Sequence, residues 1–346
     1  MVHRLDRSKF EPVPIGITRE GAWYAQDAER IRSEAERNGV LTISAEEEKR
    51  VLAVPAGGLA VPGEELPVDV AFPVLHGSFG EDGTVQGLLE VSDIPYVGAG
   101  VLGSSLGMDK ELAKHLWKHA GLPTVAFHTF RREDLVDAED EIDGERLLRS
   151  ARQVARTTPP PWFVKPGRAG SSVGVTRVER EADFPEAAET ALQYDTKFLV
   201  EPEVRGREVE CSVMGTEAIR TFPPGEIRPR HGFYSYEAKY VDPEGAELFV
   251  PADLPEVLAS EVRSIAAKAY RAVDCEVFAR IDFFVNAENG EILLNEINTI
   301  PGFTSISMFP KLCEVGGLAY DDLLTELIEL ALRRHRLKSA LTYQWS

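Results

Sequence analysis

Basic residues are in short supply in this chain: 38 Lys and Arg stand against 57 Asp and Glu among 346 residues, a formal net charge of −19. A surface of that sign repels phosphate backbones and anionic lipid heads, so neither a nucleic-acid partner nor a membrane-surface role is expected. An anionic substrate has to be held by a few local lysines and arginines against the overall field. Cysteine is scarcer still. Cys211, Cys275 and Cys313 form an odd, widely spaced set without a CxxC, which argues against a disulfide framework and reads as reduced, packed thiols. Long apolar runs are missing too, with no stretch of about 18 apolar residues to cross a bilayer. The opening segment MVHRLDRSKF carries no apolar core and no small-residue cleavage site. A signal peptide is therefore not expected, and the cytoplasm is the expected compartment. Internal repeats and low-complexity tracts are not visible either.

What is present has an ordinary globular balance, 43% apolar and 27% charged. At about 100–200 residues per domain the length predicts two or three domains. A first strand is expected at 13–18. A second apolar run, Val68–Leu75, leads straight into His76-Gly77-Ser78-Phe79-Gly80-Glu81-Asp82-Gly83. Apolar strands that end in glycine-rich loops are typical of buried parallel sheets, with ligands beyond their carboxyl ends. An α/β domain is thus expected to about residue 107. Asp109 is placed to cap a helix over 110–120 that stops at Gly121-Leu122-Pro123. The acidic stretch 133–145 reads as a solvated helix or loop, and Thr157-Thr158-Pro159-Pro160-Pro161 as a stiff connector into a strand at 162–165. A second α/β unit then covers 108–204. The third, 205–346, alternates strands with helices and closes on a helix over 321–337, where Leu323, Leu327, Leu330 and Leu337 keep helical spacing.

Two constellations carry chemistry. In Phe163–Val175 a strand, a loop and another strand bring Gly167, Gly170 and Gly174 near Lys165. Such glycines let backbone N–H groups approach an anion, and the lysine can reach the same phosphates, although the segment is neither a Walker A nor a GxGxxG loop. A bland glycine hairpin explains it equally well taken alone. The second constellation is a hairpin over 277–298, two strand-like runs around Asn289-Gly290. Matching Ile281, Phe283 and Val285 with Ile297, Asn295 and Leu293 places Asp282 opposite Glu296 and Arg280 opposite Asn298. All four then share one face. Facing carboxylates repel unless a cation neutralises them, and two carboxylates plus an amide oxygen suit Mg²⁺ shared with substrate phosphates. The bland alternative is a solvated surface hairpin, and a slip of one residue would undo the register. The loop 299–308 beyond it could present N–H groups to a carboxylate or oxyanion, or be a simple turn.

The segments MDK (108–110), VKPGRAGSSVGV (164–175), EPEVRGREVECSV (201–213), FYSYEAKY (233–240), RIDFF (280–284) and NEINTIPGFTSIS (295–307) resemble those of the D-alanine–D-alanine ligases of the ATP-grasp superfamily. The resemblance runs in family order from about residue 5 to 335. It implies an α/β, three-domain ATP-grasp architecture: an N-terminal Rossmann-like domain (1–107), a central ATP-grasp subdomain (108–204) and a C-terminal one (205–346). It also implies joining of two D-alanines for cell-wall precursors through an acyl phosphate, with ATP as phosphoryl donor, two Mg²⁺ ions with Mn²⁺ as a substitute, and a homodimer.

Carried over by position, the resemblance puts Lys110, Lys165 and Lys239 on the nucleotide phosphates. Glu201 takes the adenine amine, Glu208 the ribose hydroxyls, and Phe233 packs on the adenine. Asp282, Glu296 and Asn298 take the metal ions; Arg280 and the Gly302 N–H stabilise the tetrahedral oxyanion. Ser307 and the Met308 backbone hold the carboxylate of the second D-Ala, and His76 lines the amino-acid pocket. Tyr240 and Ser171 close the mobile loop, and the Lys239-Tyr240 pair favours a dipeptide product over a D-lactate ester. One departure stands out. The family's first strand and its GGxSxEHxxS loop, with the glutamate that binds the first D-Ala ammonium, have no counterpart before LDRSKF. A true start about 25–35 residues upstream, a strand plus a helix, is the expectation. Other readings stay open: an ATP-grasp ligase for another amino acid or D-lactate, and a nucleotide-binding protein with an incomplete amino-acid site.

Overall fold

The structure, a computed structural model, describes residues 1–2, 4–38, 41–229, 245–304 and 307–342. These fall into two compact units: Met1–Pro73 with Thr84–Gly98 and Gly317–Ser346, and Val74–Gly83 with Ala99–Gly316.

In the first unit, Ile15–Ile17 pairs with Trp23–Ala25, and Leu52–Val54, Gly58–Val61 and Glu64–Leu66 form a short antiparallel meander. The helix Tyr320–Ser339 forms as its leucine spacing predicts and buries Leu323, Leu324, Leu327, Ile328 and Ala331, but of the leucines that set the pattern Leu330 is half-buried and Leu337 is exposed. Its Arg334 lies over the Tyr96 ring and donates to the Tyr96 carbonyl at 2.8 Å. The expected strand at 68–75 is not formed. Ala71 bridges Tyr96 in parallel, donating to Pro95 O and accepting from Val97 N at 2.8 and 2.9 Å. Apolar composition alone does not make a strand, because a ladder needs partners along its length.

Two antiparallel sheets organise the second unit. One, ordered His128–Arg131, Lys197–Pro202, Trp162–Pro166 and Thr176–Val178, lies before residue 204. Trp162, Phe184 and Phe198 anchor its core, the Trp162 and Phe184 rings meeting edge to face at 5.9 Å. The other is ordered Ala246–Phe249, Gly225–Pro229, Arg207–Gly215, Val277–Asn286 and Glu291–Asn298, with Arg220–Thr221 pairing at its side. Helix Glu256–Ala272 covers it, burying Ala259, Val262, Ala266, Ala269 and Tyr270 along one stripe. Truncating a core side chain such as Phe283 or Trp162 to alanine costs about 3–5 kcal/mol. The capped helix forms as the sequence predicts. Asp109 accepts from Leu112 N at 3.1 Å at the start of Lys110–His119, and Gly121, at φ 72°, ends it in the left-handed conformation only glycine adopts freely.

Candidate active site

The hairpin Val277–Asn286 and Glu291–Asn298 sets the register of the site. Arg280 faces Asn298, Ile281 faces Ile297 and Asp282 faces Glu296, as the sequence predicts. Beyond Asp282 the prediction fails. A β-bulge shifts the ladder, so Phe283 faces Leu294 and Val285 faces Ile292, rather than Asn295 and Leu293. The reason is polarity: the unshifted register would seat the Asn295 amide across from buried Phe283, an unsatisfied polar group in the core. As the extra residue, Asn295 instead turns to the cleft beside Glu296, both half-buried, while Leu294 packs inward.

Cationic side chains meet the facing carboxylates. Arg280 Nε and a terminal nitrogen each donate to Asp282 at 2.7 Å, and Asn298 Nδ2 donates to it at 2.9 Å. Arg280 also meets Glu210 at 3.1 Å, and its pKa is raised well above the ordinary value despite burial, chiefly through Asp282 and Glu210. Glu296 lies 3.7 Å from Lys110 Nζ. Among the described residues no group of three or more His, Cys, Asp and Glu side chains gathers as a metal cage. Two opposed carboxylates and an amide still fit Mg²⁺, which needs only one or two protein carboxylates when phosphates complete its shell.

The opposite wall comes from the other sheet. Lys110 Nζ donates to Ala169 O at 2.6 Å, and its backbone N to Gly167 O at 3.0 Å, tying the capped helix to the glycine-rich loop. Ser171 and Ser172 hold φ of 55° and 58°, uncommon for residues with a side chain, and Gly174 holds 69°. Lys165 donates to Glu201 at 2.6 Å and to Asn295 Oδ1 at 3.4 Å, joining the two sheets. Glu208 sits on Arg207–Gly215 facing Phe284.

Two loops complete the site. His76 Nδ1 lies 3.0 Å from Ile300 O, and burial lowers its pKa, so the ring is neutral with Nδ1–H donating. Gly302 packs so close that an added Cβ falls 2.6 Å from Ser307 Oγ, and buried Met308 opens the next helix. Phe233, Lys239 and Tyr240 lie outside the described residues.

Several site groups escape the sequence reading. Glu81 is buried, its carboxylate accepting from Gly77 N at 2.7 Å and Ile300 N at 3.2 Å, and it lines a small cavity with Lys110, Ala169, Gly170, Glu296 and Asn298. Burial pushes its pKa up to about 7. Lys114, wholly buried, lies 3.1 Å from Glu201. Its place one turn after Lys110 was a usable signal; the bulge at Asn295 left none.

The fold is that of the ATP-grasp ligases. A D-alanine–D-alanine ligase from Coxiella burnetii superposes with a TM-score of 0.80 at 34% identity, covering 98% of this chain and 89% of that one. The VanG D-Ala:D-Ser ligase from Enterococcus faecalis does so at 0.79 and 34%, covering 95% and 92%. The D-ala D-ala ligase N-terminus family model matches residues 1–99, and the D-ala D-ala ligase C-terminus model residues 116–329. A D-alanine–D-alanine ligase of Treponema denticola is 48% identical over 327 residues, 93% of this chain and 87% of the relative. One of Shouchella clausii is 41% identical over 355 residues, covering 99% and 92%. The chain belongs to the D-alanine–D-alanine ligase family.

Proposed function

We propose that this chain joins two D-alanines into D-alanyl-D-alanine for peptidoglycan synthesis, converting ATP to ADP and phosphate. The carrying observation is the register that opposes Asp282 and Glu296 on a face met by Lys110 and Lys165, in a chain of this family.

Phosphoryl transfer depends on positioning and charge neutralisation, not on a covalent nucleophile. Lys110 and Lys165, with Lys239, hold the phosphates over the glycine-rich loop, while Glu201, Glu208 and Phe233 take the nucleoside. Asp282, Glu296 and Asn298 would hold two Mg²⁺ ions, or Mn²⁺, which neutralise charge on the phosphates. A carboxylate oxygen of the first D-Ala attacks the γ-phosphorus and ADP leaves, giving an acyl phosphate. The amine of the second D-Ala attacks the acyl carbon. Arg280 and the Gly302 N–H receive the developing oxyanion. The amide forms as the carbonyl returns, the C–O bond to phosphate breaks, and the amine proton leaves. Ser307 and the Met308 backbone orient the second carboxylate. Neutral His76 offers its Nε2 lone pair to the amino-acid pocket. Ser171 and Tyr240 close the loop, shielding the acyl phosphate from water.

No helix among the described residues is long and apolar enough to cross a membrane. A cytoplasmic homodimer is part of the proposal, and sedimentation of the purified chain tests the dimer. The two halves of the nucleotide cleft are assigned to 108–204 and 205–346, after an N-terminal domain of 1–107. Phosphate release with D-Ala, L-Ala, D-Ser and D-lactate, with product identified by mass, tests the activity. Turnover with L-Ala and none with D-Ala overturns the proposal. The D-Ala:D-Ser ligase among the structural neighbours supports D-Ser as second substrate as the alternative, read as a mixed dipeptide in the same assay.

A further inference from the structure

Lys114 lies one turn beyond Lys110 on the helix Lys110–His119, with its side chain entirely out of solvent. A buried ammonium costs several kcal/mol unless an opposite charge compensates it. Here the compensation is Glu201, whose Oε1 lies 3.1 Å from Lys114 Nζ. The other oxygen of that carboxylate, Oε2, accepts from Lys165 Nζ at 2.6 Å. One carboxylate is thereby shared by two lysines in different positions. Lys114 is sealed beneath it, whereas Lys165 is partly exposed at the cleft and also reaches Asn295 Oδ1 at 3.4 Å. Burial works to raise the pKa of Glu201, but Lys114 and Lys165 together hold it below its ordinary value, so the group stays ionised.

Burial pulls the pKa of Lys114 down and Glu201 opposes that fall; with Lys114 charged, the trio carries one positive charge in excess, and its accessible end is Lys165. With Glu201 and Lys165 alone the pair would be neutral, and the attraction between Lys165 and a phosphate would be largely cancelled at short range. We propose that Lys114 is a positioning residue that neutralises Glu201 from beneath, so that Lys165 presents an undiminished positive charge to the nucleotide phosphates. This rests on Lys165 being a phosphate ligand, as set out above. Lys114 itself, being sealed, touches no substrate.

Calorimetric titration of the full chain with MgATP separates this role from simple core filling. Lys114→Met keeps the side-chain length and removes the charge. It is expected to weaken MgATP binding about tenfold while leaving adenosine binding unchanged. Lys114→Arg puts a positive charge back beneath Glu201 in a side chain of different shape and is expected to bind MgATP within about threefold of the wild type. A packing role would reverse that order, since methionine is the closer match in volume. The salt dependence of MgATP binding, expected to be shallower in Lys114→Met than in the wild type, is read on the folded fraction and remains decisive if either variant is destabilised. Wild-type affinity in Lys114→Met, or no recovery in Lys114→Arg with an unchanged salt dependence in Lys114→Met, overturns the proposal. A wild-type chain that binds no MgATP, or a Lys165→Met variant that binds it undiminished, instead overturns the underlying reading of the site.

Discussion

The hairpin and the four-stranded sheet handle charge in opposite ways. On the hairpin, Asp282 and Glu296 face one another: Asp282 is buried and held at two points by Arg280, whereas Glu296 is half-buried and met by Lys110 at 3.7 Å. In the four-stranded sheet, Lys197 is buried between Asp109 at 2.7 Å and Glu111 at 2.6 Å, and Glu201 is sealed between Lys114 and Lys165. A long, half-buried pair such as Lys110–Glu296 is weak and exchanges readily, whereas buried close pairs are costly to break and stay put. Glu296 is therefore suited to changing partners during a reaction, and the second wall to holding its charges fixed.

The largest expected effect breaks the hairpin side. Glu296→Gln removes a charge opposite Asp282 and is expected to lower kcat by about 10²–10³-fold. Glu291→Gln, at the exposed far end of the same strand, is expected to change it by less than about twofold. Equal losses in initial-rate assays would show that the facing register does not matter.

That register was legible because side-chain alternation and the Asn289-Gly290 turn are local signals, and so were the cap at Asp109 and the leucine stripe of the last helix. The bulge was not, since it arises from competition between Phe283 in the core and Lys165 across the cleft, two contacts far apart in sequence. The strand at 68–75 failed for a similar reason, its pairing being decided by segments elsewhere. Glu81 shows the same limit among site residues: it is a common charged residue whose role follows from burial, which composition does not reveal.

Glu81 sharpens the comparison because backbone N–H groups, rather than a cation, hold its buried carboxylate. Burial raises its pKa from an ordinary 4.5 to about 7, the Gly77 and Ile300 N–H groups pulling down less strongly. Between those values the folded state binds more protons than the unfolded one, so this contribution to stability is full below pH 4.5 and is lost as pH rises to about 7. The loss is about 3 kcal/mol at most. Urea unfolding of wild type and Glu81→Gln from pH 5 to 8 is expected to show their stability difference falling with pH, then levelling above neutrality. A difference that stays flat from pH 5 to 8 would mean that Glu81 is already ionised at pH 5, like the lysine-held Glu201.

A smaller effect is expected at Gly302. An added Cβ meets Ser307 Oγ at 2.6 Å, and that hydroxyl accepts from Thr304 N at 3.0 Å and pairs with Thr304 Oγ1 at 2.8 Å. It can turn aside only by losing both bonds, at about 1–2 kcal/mol. Gly302→Ala should raise KM for D-Ala about tenfold and leave MgATP affinity unchanged. With Ser307→Ala already in place the added methyl has room, so the double variant should be no worse than Ser307→Ala alone. A further loss in the double variant would place the injury at the backbone of Gly302.

The smallest effect joins the two walls. Asn295 Oδ1 meets Lys165 at 3.4 Å, a weak bond, so Asn295→Ala should weaken MgATP binding only about two- to fivefold. Asn295→Asp places a second negative charge against Lys165 and cancels the excess positive charge of the Lys114, Glu201 and Lys165 trio. If fixed charge governs that wall, the aspartate variant binds MgATP less tightly than the alanine variant, although it preserves an oxygen in the same place. If hydrogen bonding governs it, the order reverses, because an ionised oxygen accepts from Lys165 more strongly than an amide does. Calorimetric titration of the two variants side by side therefore decides whether the bulge serves the lysine by geometry or by the charge it withholds.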